Sequence, residues 1–82
     1  MSVPDSIENK ILELLAREWE SNGPPGIMEV GDIVSIIPSA PSDTMETIRE
    51  LFASGFIDMN TFKTSAFLTP EGYEHINEHW GK

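Results

Sequence analysis

The chain has 82 residues, with 14 Asp or Glu against five Lys or Arg, a net charge of −9 and no cysteine. No disulfide or thiolate metal site can form, and a duplex or an anionic lipid surface repels such a chain at long range. A chain this short buries roughly 60–65% of its unfolded surface, enough for one domain over residues 1–82, with little room for a deep catalytic cleft.

No apolar run approaches the ~20 residues of a membrane span. The first ten residues, MSVPDSIENK, lack the basic and apolar regions of a secretory signal. The expectation is a soluble, cytoplasmic protein whose acidic surface keeps it in solution.

Residues 1–5 read as a short tail, and Ser6 is placed to cap a helix from residue 7 to about residue 21. Ile7, Ile11, Leu14, Leu15 and Trp19 recur at helical spacing and mark its buried face. Glu13 and Arg17, four apart, pair favourably outside. Asn22-Gly23-Pro24-Pro25-Gly26 ends the helix in a stiff loop. Residues 27–30 are too short for more than an edge strand or a docking segment. Residues 32–37 hold Ile33, Val34, Ile36 and Ile37, a β-branched run that alone suggests a strand. Their flanks, with Pro38 as a stop, favour a short buried helix, with the strand as the alternative.

Pro38-Ser39-Ala40-Pro41 turns the chain into the helix that organises it, from Ser42 to the exit at Gly55. Asp43, with Glu46 three residues later, forms a capping-box-like start. Met45, Ile48, Leu51 and Phe52 make one apolar stripe. Gly55 suits the left-handed position that closes a helix. Residues 56–59 read as a strand, 60–65 as a polar turn holding Phe62 and Lys63, and 66–68 as the return strand of a β-hairpin. Thr69 and Pro70 open the last helix as cap and first residue. Tyr73, Ile76 and Trp80 are its buried residues. Trp19 and Trp80 are expected in the core; a tryptophan on a terminal helix also suits an interface.

The order helix, short strand, short helix, turn, long helix, hairpin, helix resembles the winged helix-turn-helix superfamily over about residues 7 to 80. Three pieces carry the resemblance. Ile48-Arg49-Glu50-Leu51-Phe52-Ala53-Ser54-Gly55-Phe56-Ile57 looks like the end of the family's recognition helix and its glycine exit. Leu68-Thr69-Pro70-Glu71-Gly72 looks like the passage from the wing into a closing helix. The compact hairpin lies between them. The chain looks most like small regulators of the multiple-antibiotic-resistance and phenolic-acid repressor types, and like small prophage-borne winged-helix proteins. The resemblance implies an α+β winged-helix domain whose long helix enters the major groove and whose wing touches the DNA backbone.

The residues themselves point elsewhere. With the apolar stripe buried, Asp43, Glu46, Thr47, Glu50 and Ser54 face outward, and Arg49 lies at their flank. A groove-reading face offers Arg, Lys, Asn or Gln; this one offers three carboxylates, and the wing tip adds Lys63 as its single charge. The first function is a non-catalytic module that meets a protein partner, basic in character or a second copy, through Asp43, Glu46, Thr47 and Glu50. The alternative is a dimeric DNA-binding transcription regulator with Arg49 and Lys63 as its contacts, which the charge disfavours.

His75-Ile76-Asn77-Glu78-His79 has the spacing of an inverted zincin motif. Catalytic zinc needs a third protein ligand and a cleft, so both histidines are read as exposed polar residues of the last helix, where His⁺ suits the C-terminal dipole. No phosphate loop in Walker order occurs. Asp43, Glu46 and Glu50 are spaced as a solvated helix face rather than as an acid/base pair. No catalytic residue, cofactor or metal site is expected, and the chain is not read as an enzyme.

Overall fold

The computed structural model describes residues 7–80, with side chains through Asn77. Among these residues run α1 (Ile7–Asn22), β1 (Ile27–Glu29), α2 (Val30–Ile36), α3 (Pro41–Ser54), β2 (Ile57–Met59), β3 (Ser65–Leu68) and α4 (Pro70–Trp80). The class is α+β, as the sequence predicts. Ser6, expected to cap α1, lies outside the described residues.

On α1, Ile11, Leu12 and Leu15 are fully buried. Ile7, Leu14 and Trp19 are only partly covered. The seam is therefore turned toward Leu12, which the expected stripe left out. Glu13 and Arg17 form the expected pair at 3.3 Å.

The strands form one antiparallel sheet in the order β1-β3-β2. Ile27 lies opposite Phe67 and Met28 opposite Ala66, and across the hairpin Ile57 lies opposite Leu68. Side chains alternate between faces along a strand, so Ala66 and Leu68 of the central strand enter the core, joined by Ile57 from β2. Residues 27–29 are thus a true edge strand rather than a docking segment.

The β-branched segment after β1 is helical, because its buried residues are spaced for a helix. Val30, Ile33 and Ile37 fall at offsets 0, 3 and 7 and all point inward. Ile36, expected to be buried, is 52% exposed, since it lies off that stripe.

The organising helix starts earlier than its acidic residues suggest. Pro41 takes the first helical turn and Ala40 the cap position, with no side-chain cap bond. Proline is pre-set for that place, because its fixed φ is helical and the N–H it lacks is unneeded there. Asp43 therefore sits in the first turn, and the expected capping box with Glu46 does not form. The buried seam is also rotated: Thr44, Ile48 and Leu51 are fully buried, whereas Phe52 is 38% exposed. Offsets 0, 4 and 7 make a straighter stripe than the one predicted. Gly55 closes α3 with φ 86°, its N–H directed at the carbonyls of Leu51 and Phe52, a left-handed geometry that favours glycine.

The exit of α3 and the entry of α4 are one joint. The Thr69 hydroxyl accepts the N–H of Gly72 at 3.0 Å and caps α4. The same hydroxyl lies 2.7 Å from the Gly55 carbonyl and 2.9 Å from that of Phe56, and the Thr69 N–H donates to Phe56 as well. A Cβ on Gly72 would collide with the Phe56 carbonyl oxygen, so glycine is what lets α4 lie this close.

α4 returns to α1. Trp19 and Tyr73 stack with centroids 4.6 Å apart, and the Tyr73 hydroxyl donates to Glu20 at 3.0 Å. Among the described residues, every element contributes to a single core, with Ile76 as the part supplied by α4. The Trp80 side chain lies outside the described residues. The radius of gyration, 11.6 Å, is that of a tightly packed chain of this length, roughly 12 Å.

Candidate functional site

The outward side of α3 and the tip of the β2–β3 hairpin form the most distinctive surface. Asp43, Glu46 and Glu50 are exposed, as predicted, and no ion pair or hydrogen bond engages their carboxylates among the described residues. Thr47 departs from expectation. It is half-buried, and its hydroxyl donates to the Asp43 carbonyl at 2.9 Å, a local back-bond typical of threonine in a helix.

Projected at about 100° per residue, the exposed side of α3 divides in two. Glu46 sits at the centre, and Asp43 and Glu50 lie on the flank of Thr47. Met45, Arg49 and Phe52 lie on the opposite flank. The hairpin tip meets this second flank at Phe52: the Lys63 ammonium stands 5.2 Å from the centroid of the Phe52 ring, within cation–π range. Arg49 and Lys63, the two candidate DNA contacts, are therefore on the same side of the helix, away from Asp43 and Glu50.

The tip itself is tightly organised around Asn60. Its side-chain oxygen accepts the N–H groups of Thr64 and Ser65 at 2.8 and 2.9 Å, and its side-chain nitrogen donates to the Thr64 hydroxyl at 2.8 Å. The Lys63 N–H closes the turn onto the Asn60 carbonyl at 3.0 Å. Lys63 has φ 60°, a left-handed conformation uncommon for a side chain other than Gly, Asn or Asp. Phe62 points outward and is 82% exposed. The sequence names this residue only as part of a polar turn, and its setting among Asn, Thr and Ser is the signal that could have singled it out.

His75 is not a freely exposed polar residue, as expected, but half-buried, with its ring stacked on Phe56 at 4.3 Å between centroids. The His79 side chain lies outside the described residues. Among the described residues no group of three or more His, Cys, Asp or Glu is placed to hold a metal ion. A surface depression of about 250 Å³ between α1 and the end of α2 is lined by Lys10, Glu13, Leu14, Arg17, Ile36, Ile37 and Pro38. Its lining includes no hydroxyl, thiol or imidazole. No described helix is long and apolar enough to cross a membrane.

Comparison with known protein families, with curated proteins and with solved structures finds no match. The chain is α+β, with four helices and one three-stranded antiparallel sheet among the described residues, an acidic face on α3 and an exposed phenylalanine at the hairpin tip.

Proposed function

We propose that this chain is a non-catalytic winged-helix module that binds a protein partner through the exposed side of α3. Support for the winged-helix part comes from topology. α2, a short turn and α3 precede a hairpin whose second strand lies between β1 and β2, and the hairpin tip rests against α3 through Lys63 and Phe52.

The observation that carries the partner reading is the exposure of Asp43, Glu46 and Glu50 on the side of α3 that would otherwise enter a groove. B-DNA carries one negative charge per ≈ 1.7 Å of axis, so three carboxylates aimed at it are repelled. A basic protein surface reverses that sign and gains on-rate and specificity from it. Glu46→Lys combined with Glu50→Lys abolishes capture of the partner from a lysate of the source cells, while the thermal midpoint stays within a few degrees of wild type. Undiminished capture by that double variant would remove the acidic face from the contact.

Arg49 and Lys63 on one flank support a second reading, a DNA-binding regulator whose dimer gathers these cations on phosphates. There Arg49→Glu and Lys63→Glu each abolish duplex binding, and wild-type affinity falls steeply with salt.

A further inference from the structure

We propose that Phe62 is the anchor of this interface: its ring enters an apolar pocket on a basic protein partner whose cationic residues meet Asp43, Glu46 and Glu50. The proposal rests on the protein-partner reading above and names what that partner must carry.

Phe52, on α3, is an apolar ring that the hairpin tip partly covers. Burial of aromatic surface favours Phe62 as the cover, yet Lys63 takes that place, and Phe62 is left 82% exposed. The turn is not free to relax this arrangement. Asn60 holds both its ends through three side-chain hydrogen bonds, and Lys63 keeps a left-handed backbone. A large aromatic ring displayed on an already ordered turn loses little conformational freedom on binding, and this is the character of residues that dominate interfaces.

The nature of the occupant follows from charge. The chain carries a net −9, and the exposed side of α3 carries Glu46 at its centre and Asp43 and Glu50 on the flank away from the tip. An anionic lipid surface or a phosphate backbone is repelled by this field. A protein with basic residues around an apolar pocket is complementary to both parts. The layout also fixes a register: the pocket lies on the hairpin side of α3, and the partner's cations lie over Glu46 and toward Glu50. Arg49, on the hairpin flank, lies on the pocket side, between that pocket and the partner's cations.

The test is selection of a random peptide library displayed on phage against the purified full chain, followed by affinity measurements on the selected peptides. The expected peptides combine Lys or Arg with an apolar cluster. Phe62→Ser is expected to weaken them by ~10-fold or more, as is Glu46→Lys with Glu50→Lys. The control Glu8→Lys with Glu74→Lys, exposed positions on α1 and α4, alters charge equally and leaves most of the affinity. Since Phe62 is solvent-exposed, circular dichroism of Phe62→Ser is expected to match wild type. Peptides that bind Phe62→Ser as well as wild type overturn the anchor. If they still lose affinity to the double lysine variant, the acidic-face reading survives without it. Peptides indifferent to both variants, or a library that yields no binder, overturn both.

Discussion

Thr44 carries its hydroxyl into the core, where Oγ1 has no hydrogen-bond partner among the described residues. A buried, unpaired polar group costs roughly 1–3 kcal/mol, and an apolar group of the same shape removes that cost. Thr44→Val is therefore expected to stabilise the fold by about 1 kcal/mol, raising the midpoint of a calorimetric melt by roughly 4–8 °C. Arg49 gives a prediction of sign. Against a basic partner, Arg49→Glu strengthens binding or leaves it unchanged, whereas against a duplex it abolishes binding; titration of the captured partner with wild type and variant separates the two. Residue-level burial was only partly legible in the sequence. Periodicity located the α3 stripe, but Met45 and Phe52 are more hydrophobic than Thr44, so hydrophobicity pulled the predicted seam toward them. The rotation was decided by the neighbours that α3 packs against, α1, α2 and β2, and no local pattern encodes those.

The junction of α3, β2 and α4 hangs on one side chain. Thr69 both caps α4 and binds the backbone at the exit of α3. Loss of a helix cap costs about 0.5–2 kcal/mol. Thr69→Ala should fall at the upper end of that range in chemical denaturation, because it also removes the link to Gly55 and Phe56, while Thr69→Ser retains most of the stability. Gly72→Ala should destabilise by about 1–3 kcal/mol through backbone displacement at Phe56. A Gly72→Ala variant as stable as wild type would show that α4 has room to move away. The elements themselves were legible, because Gly55, Thr69 and Pro70 are stop and start signals with local causes. The joint between them was not, since Thr69 and Phe56 are 13 residues apart and their meeting depends on the hairpin's length. The start of α3 departs from the expected one for a related reason. An acidic pair resembles a cap, but Pro41 two residues upstream of Asp43 already supplies a first turn.

At the scale of the whole molecule, the net charge of −9 was legible at once, but its distribution was not. The sequence placed Arg49 beside the acidic face and Lys63 on a separate turn. The fold brings Lys63 over Phe52 on the flank of α3 that carries Arg49 and leaves Phe62 82% exposed. The central claim is that this surface repels phosphate and receives a basic protein. It is tested most directly by fluorescence anisotropy of labelled random duplex DNA at low salt, where electrostatic binding is strongest. The account predicts a flat trace up to ~100 μM protein, weaker than ordinary non-specific binding. A rising trace that collapses with added salt would contradict it.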